Sequence, residues 1–210
     1  KALQNPSAWL LSSSDPWVVE IEPYLPQSGS VVPFADTIYA VRTLGGWDQN
    51  SPDQDVAYRD GTGTLQYRWN LLFDRLDPIV TNGLAPVVVL DNVPPSFVAS
   101  PVWGEYGQIS GPDDPAAYGA FIQLLAQQLA SRYASANPGS WHYRVGTEPN
   151  YGGHWSDTVV KYEQTYDYVT NAVRSVFPSA KVGPGNFAHT NTSFVQDVLN
   201  HIATGTNYAT

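Results

Sequence analysis

Glu148 is the residue of this sequence best placed to do chemistry. It follows the stretch 141–147, which predicts a short strand, and it precedes Pro149, whose missing N–H ends strand pairing. A carboxylate would therefore project from the carboxyl end of a strand, where α/β sheets and barrels build their active sites. Nearby aromatic and amide side chains favour acid–base chemistry on a sugar bond. A salt bridge or a helix cap is the alternative role for a single glutamate.

Five stretches predict strands, near residues 18, 38, 87, 143 and 181. The repeated order of strand, loop and helix predicts an α/β fold with a parallel sheet and right-handed crossovers. Polar loops follow the strand ends, which is the pattern of a (β/α)8 TIM barrel with its site at the carboxyl face. A full barrel takes about 250 residues. We therefore expect residues 1–210 to form a single, incomplete TIM-barrel domain holding about the first five β/α units. An irregular segment is expected at 1–16, and a second segment would complete the barrel.

Capping residues and apolar spacing predict four helices. The first spans about residues 69–80, and Asp114 caps the second. The third is predicted to begin at Ser156 or Asp157, and Thr192 caps the fourth. The fourth helix is predicted to bury Val195, Val198, Leu199 and Ile202.

Two long loops are predicted, at residues 45–64 and 103–112. The first contains Asp53, Asp55 and Asp60, which could suggest a calcium site, but their spacing fits no recognised cation loop, so a solvated loop is favoured. No cluster of His, Asp and Glu has the spacing of a metal site. Neither a metal nor a cofactor is predicted.

The composition limits the partners that this chain would bind. The formal net charge is −9 and charged residues are only 14%, which argues against nucleic acid and anionic membranes because both need a basic patch. No run of ~18 apolar residues is present to span a membrane. Aromatic residues make up 13%, and they would either stack on sugar rings or pack the core. Few Lys, many Ser, Thr, Asn, Gly and Tyr, and one glycosylation sequon at residues 191–193 favour an extracellular protein.

The run Glu148-Pro149-Asn150 resembles the Asn-Glu-Pro-Asn signature at the end of barrel strand four in retaining glycosidases with two catalytic glutamates. The resemblance extends from about residue 36 to residue 205 and points to glycoside hydrolase family 39, the β-xylosidase and α-L-iduronidase family. Residues 83–94 are similar to the third strand of that family and residues 181–185 to its fifth. The order and the spacing of these pieces agree with the family pattern.

The resemblance implies retaining hydrolysis of a poly- or oligosaccharide. Glu148 would protonate the leaving oxygen and then act as base toward water. A second carboxylate about 5 Å away would attack the anomeric carbon. In the family this nucleophile comes from strand seven, so it would lie outside residues 1–210.

Two positions depart from the family pattern. Thr147 stands where the family usually has the asparagine that holds the sugar 2-hydroxyl, and Leu44 stands where a histidine is common. Leucine offers no polar group to a sugar, and the ring of Trp47 would offer a stacking face instead. These departures leave open a catalytically impaired, carbohydrate-binding pseudoenzyme of the same fold. Another member of the clan, such as an endoglycanase, is a third alternative.

The remaining candidates for sugar binding follow the predicted strand ends, and each could instead be structural. They are Arg42, Trp47, Asn92, Trp103, Thr147, Asn150, Tyr151, His154, Trp155 and Asn186.

Overall fold

A computed structural model describes residues 18–21 and 38–209, with side chains from residue 40 onward. The predicted irregular segment 1–16 lies outside these residues. In chain order the elements are β1 (Val18–Ile21), β2 (Ile38–Arg42), β3 (Ala57–Arg59), β4 (Leu65–Tyr67), α1 (Trp69–Val80), β5 (Pro86–Leu90), β6 (Trp103–Gly104), β7 (Gly107–Gln108), α2 (Pro115–Arg132), β8 (His142–Val145), α3 (Val159–Val176), β9 (Lys181–Pro184) and α4 (Ser193–Thr204).

The central sheet contains five parallel strands in the order β1-β2-β5-β8-β9. All five strands predicted from the sequence are confirmed. Consecutive sheet strands are neighbours, and helices separate the last four of them, as in one side of a (β/α)8 barrel. Because the strands run in one direction, the residues that follow β2, β5, β8 and β9 meet at one edge of the sheet.

Helices α1, α2 and α3 pack against this sheet and form the hydrophobic core. On α1 the buried residues are Leu72, Leu76 and Ile79, which share one face because they are spaced by four and three positions. Aromatic rings also fill the core, since Tyr67 stacks on Phe121 with centroids 5.5 Å apart. Within the described residues, no helix combines the length and apolar character needed to cross a membrane.

The capping predictions are confirmed at two helices and wrong at a third. The Asp114 side chain accepts hydrogen bonds from the first backbone N–H groups of α2, and Thr192 caps α4. Helix α3 begins at Val159 rather than at Ser156 or Asp157, because the Thr158 hydroxyl accepts from the Lys161 N–H. The Asp157 carboxylate accepts instead from the Gly111 N–H at 2.7 Å.

Helix α4 does not bury all the residues predicted for its inner face. Leu199 is 51% exposed and Ile202 is 37% exposed, so their predicted burial is wrong. His201 is buried instead, and its Nε2 lies 3.0 Å from the Asp167 carboxylate of α3. This polar pair determines which face of α4 packs against α3.

Both predicted loops contain short antiparallel hairpins that the sequence did not reveal. Strand β3 pairs with β4, and β6 pairs with β7. The prediction of one solvated loop at 45–64 is wrong, because Asp55 is only 5% exposed and Asp60 caps the turn of the first hairpin. In the part of the chain that the structure describes, Asp53, Asp55 and Asp60 form no cluster able to hold a metal ion.

Candidate active site

Glu148 lies in a sharp turn directly after β8. Its backbone is in the left-handed region, with φ of 42°, which is uncommon for a residue with a β-carbon. The Tyr151 N–H donates to the Glu148 carbonyl at 2.8 Å and fixes this turn. Strained conformations of this kind cluster at functional sites. The turn leaves the Glu148 side chain about one-third exposed at the carboxyl edge of the sheet.

An imidazole faces this carboxylate. The Nε2 of His154 lies 3.8 Å from Oε2 of Glu148, and the His154 side chain is only 9% exposed. The Tyr106 ring stacks in parallel on the imidazole, with centroids 4.4 Å apart. The negative charge of Glu105, which also hydrogen-bonds the Tyr106 phenol, raises the pKa of Tyr106. The site therefore combines an accessible carboxyl group with a shielded imidazole.

A buried polar network lies beneath this pair and joins three strand ends. Oδ2 of Asp91 accepts from Nε of Arg42 at 2.8 Å and from the Thr147 hydroxyl at 2.6 Å. The Thr147 hydroxyl in turn accepts from Nη2 of Arg144 at 3.0 Å. Thr147 is 7% exposed and Asp91 is 5% exposed. Oδ1 of Asp91 is buried without a hydrogen-bond partner among the described residues.

The β6–β7 hairpin is anchored to the same strand ends. Nδ2 of Asn92 donates to the carbonyls of Tyr106 at 2.9 Å and Gln108 at 3.1 Å. Arg42 donates through Nη2 to Oδ1 of Asn92 and to the Tyr106 carbonyl. The position of the Tyr106 ring over His154 is thus fixed by side chains that follow β2 and β5.

A cavity of about 30 Å³ lies between the polar network and the loop after β8, with room for one water molecule. Its polar lining includes Asp91, Gln108, Thr147 and His154.

Three of the predicted binding residues make contacts with other parts of the protein. They are Asn150, Trp155 and Trp47. Asn150 donates to the His189 carbonyl at 2.7 Å and accepts from the Ala188 N–H at 2.9 Å, so it ties the loop after β8 to the loop after β9. Trp155 packs edge-to-face on Tyr162. The guanidinium of Arg75 covers one face of Trp47, 4.3 Å from the ring centroid.

The structure brings Glu148, Tyr151 and His154 together in two successive turns after β8. It places Arg42, Asn92 and Thr147 in the network underneath. Sugar contacts remain predictions for all the binding candidates, which also include Trp47, Trp103, Asn150, Trp155 and Asn186. Tyr106 was not predicted as a site residue. The available signal was its place in a glycine-bearing loop that follows a strand.

Comparison with known proteins decides the family. The model of glycosyl hydrolases family 39 matches residues 38–208. This chain belongs to glycosyl hydrolase family 39. The match confirms the resemblance that the sequence suggested around Glu148.

Three similar proteins show how much of a longer chain this sequence covers. A β-xylosidase of Caldicellulosiruptor saccharolyticus is 27% identical over 141 residues, which are 66% of this chain and 28% of the relative. An α-1,4-L-rhamnosidase of Formosa agariphila is 26% identical over 157 residues, 68% of this chain and 32% of the relative. A monomeric β-xylosidase of Caulobacter crescentus superposes with a TM-score of 0.72 at 19% identity, over 91% of this chain and 39% of that structure.

The chain thus spans about a third or less of the length of the curated relatives it matches. The structural match shows that the five-stranded sheet is part of a (β/α)8 barrel fold, as predicted.

Proposed function

We propose that the whole protein is a retaining glycoside hydrolase in which Glu148 is the general acid/base. The observation that carries this proposal is the accessible carboxyl group of Glu148, which projects from the carboxyl edge of a family 39 sheet beside His154. Active sites of (β/α)8 barrels lie at this edge.

In the proposed reaction Glu148 first gives its proton to the glycosidic oxygen as the bond to the leaving group breaks. A second carboxylate attacks the anomeric carbon and forms a covalent glycosyl-enzyme. The ionised Glu148 then removes a proton from water, which attacks the anomeric carbon and releases the nucleophile. By family resemblance the nucleophile belongs to strand seven, outside residues 1–210. Asp91 is not assigned this role because it is buried and paired with Arg42.

The substrate that we propose is a poly- or oligosaccharide, cleaved by a β-xylosidase-like or related activity. One curated relative is a β-xylosidase and another is an α-1,4-L-rhamnosidase, so the proposal does not extend to a particular sugar. We further propose that the protein acts outside the cell on polysaccharide, which its low Lys content and its many Ser, Thr, Asn, Gly and Tyr residues support.

A carbohydrate-binding pseudoenzyme is the second candidate function, and one observation favours it. The Thr147 hydroxyl, at the position expected to hold the sugar 2-hydroxyl, donates to Asp91 and accepts from Arg144. A hydrogen bond to the 2-hydroxyl that strengthens in the transition state contributes to glycosidase catalysis. Loss of this hydrogen bond to the sugar would reduce the rate of catalysis more than the affinity for the sugar.

Turnover of a panel of aryl glycosides by the full-length protein separates these functions. The panel includes β-xylosides, α-L-rhamnosides and α-L-iduronides, and calorimetry with the matching oligosaccharides measures binding. Hydrolysis of at least one glycoside with retention of anomeric configuration supports the retaining enzyme. Binding without any turnover supports the pseudoenzyme, and inversion of configuration rules out the proposed mechanism.

A further inference from the structure

The chain after Glu148 folds back on itself and returns an imidazole to the carboxylate. The Tyr151 N–H donates to the Glu148 carbonyl at 2.8 Å, and the His154 N–H donates to the Tyr151 carbonyl at 2.9 Å. These two successive turns bring Nε2 of His154 to 3.8 Å from Oε2 of Glu148. The approach results from local backbone hydrogen bonds close to the reacting group.

Two aromatic rings hold the imidazole in a fixed orientation. The Tyr106 ring is nearly parallel to it, with an interplanar angle of 3° and a centroid distance of 4.4 Å. The Tyr151 ring contacts it at a tilted angle, with centroids 6.1 Å apart. The His154 side chain is 9% exposed and that of Glu148 is 34% exposed. The carboxyl group is thus open to a substrate, whereas the imidazole is shielded from it.

The orientation of Tyr106 is itself determined by the sheet. Its carbonyl accepts from Nδ2 of Asn92 at 2.9 Å and from Nη2 of Arg42 at 3.3 Å. The next residue, Gly107, has a φ of 113°, and a β-carbon there would collide with the Gly46 carbonyl oxygen. A rigid series of contacts therefore runs from the ends of β2 and β5, through Tyr106, to His154.

We propose that His154 is a positioning residue for Glu148 that stabilises the carboxylate as it forms in the first half of the reaction. This inference rests on the proposed function. As Glu148 gives its proton to the leaving group, the Nε2–H of His154 donates a hydrogen bond to the developing carboxylate. Glu148 then takes a proton from water, and His154 keeps its own proton throughout. The separation of 3.8 Å shortens to hydrogen-bond length in the occupied site, as catalytic hydrogen bonds often do when substrate binds.

The imidazole of His154, with a proton on Nε2, stabilises the Glu148 carboxylate whether the ring is neutral or charged. A neutral imidazole donates a hydrogen bond that favours the carboxylate, and an imidazolium adds an attractive charge. Other titratable groups around the pair come from the hairpin, the loop and the elements packed beneath them. They are Glu105 and Tyr106 on the hairpin, Tyr151 on the loop, and Arg42, Asp91, Tyr118, Arg144 and Tyr162 underneath.

Three variants of the full-length protein test the role of His154. His154→Phe keeps a ring that can stack on Tyr106 but removes the N–H donor. His154→Gln keeps an N–H donor but cannot ionise. His142→Phe is the matched control, because His142 is exposed at the amino end of β8, at the opposite edge from Glu148.

The first measurement is the NMR signal of the Nε2 proton of the His154 ring, assigned by its loss in His154→Phe. We expect this signal to move upfield in Glu148→Gln, because a hydrogen bond to a neutral amide is weaker than one to a carboxylate, and to stay unchanged in His142→Phe. This measurement does not require turnover. A protein without activity would therefore contradict the proposed function and leave the His154 result intact.

The second measurement is kinetic. With a glycoside whose leaving group needs a proton, kcat/KM should fall by roughly ten- to a hundredfold in His154→Phe, the loss expected for one hydrogen bond to a charged group. With a dinitrophenyl glycoside, which needs no proton, the loss should be much smaller. His154→Gln should recover part of kcat/KM. A Nε2 proton signal that is the same in Glu148→Gln as in the wild-type protein would overturn the proposal, and so would equal losses of kcat/KM for the two substrates.

Discussion

Thr147 links the carboxylate that ends β5 to the strand that carries Glu148. Its hydroxyl donates to Asp91 at 2.6 Å and accepts from Arg144 at 3.0 Å, and the residue is 7% exposed. One oxygen of Asp91 already has no partner among the described residues. The Thr147 hydroxyl is therefore needed to satisfy a buried carboxylate, whatever it does for a sugar.

Thr147→Val is expected to lower the free energy of unfolding by about 1–3 kcal/mol. The methyl group that replaces the hydroxyl leaves the Asp91 oxygen with one hydrogen bond fewer in a buried site. Urea unfolding of the full-length protein measures the loss. Thr147→Ser keeps the hydroxyl and is the control, for which we expect a much smaller loss. Equal losses in the two variants would show that the hydroxyl does not stabilise the network.

Asp55 is a second buried carboxylate, and it makes stability depend on pH. Burial raises its pKa from 3.8 to about 6, although the Gly46 N–H and the charges of Arg75 and Arg68 oppose this shift. Between about pH 4 and pH 6 the unfolded chain ionises at this residue while the folded protein stays protonated. The contribution of Asp55 to stability is therefore full below this window and lost as the pH rises through it.

Asp55→Asn should remove this dependence. An amide can still accept the Gly46 hydrogen bond but does not titrate. Relative to the variant, the wild-type protein should lose about 2 kcal/mol between about pH 4 and pH 7, since one pKa unit corresponds to about 1.4 kcal/mol and part of the shift lies below pH 4. Unfolding measured at both pH values gives this difference. A stability difference that does not change with pH would contradict the assignment to Asp55.

At the scale of elements, the β6–β7 hairpin connects the sheet to the site. Gln108 donates its N–H to the Gly46 carbonyl at 2.7 Å, and Asn92 holds the hairpin carbonyls. Gly107 makes this close approach possible, because a β-carbon there would collide with Gly46 and Asn92. The hairpin can place Tyr106 on His154 only if the residue at position 107 has no side chain.

Gly107→Ala should therefore reduce both stability and activity. We expect a loss of roughly 2 kcal/mol or more, from steric conflict and from a φ of 113° that alanine avoids. The value of kcat/KM should fall because the hairpin moves away from His154. Gly61→Ala in the other hairpin is the matched control, since a β-carbon at Gly61 meets nothing within 4 Å. Equal losses of stability and of kcat/KM in the two variants would show that the close approach at Gly107 is not important.

The regular elements could be predicted from the sequence, whereas the hairpins could not. The five sheet strands and four helices have apolar spacing and capping residues such as Asp114 and Thr192 that report on local structure. Strands of two or three residues, such as β6 and β7, are too short to show a periodic pattern. Burial of His201 in place of Leu199 depends on a partner in another helix, and sequence spacing does not contain that information.

The candidate site could be predicted only in part. Glu148 was predicted as the acid/base because a strand end, a proline and a motif coincide in the sequence. His154 was predicted only as a binding residue near a strand end. Its contact with Tyr106 joins residues almost fifty positions apart, so it could be seen only in the folded chain.

At the scale of the whole molecule, the parallel sheet determines where chemistry can occur. The loops after β2, β5 and β8 meet at one edge, and the polar network of Arg42, Asp91 and Thr147 joins them. Glu148 is held at this edge in a left-handed turn with an accessible carboxyl group. The proposed reaction depends on this carboxyl group as its acid/base.

The leaving-group dependence of Glu148→Gln is the decisive measurement for that role. In the full-length protein we expect kcat/KM to fall by roughly 10²–10⁴ for glycosides with poor leaving groups, which need a proton. For a dinitrophenyl glycoside, which needs none, the loss in kcat/KM should be much smaller. Wild-type rates for both substrates, or equal losses for both, would contradict the role of Glu148 as the general acid.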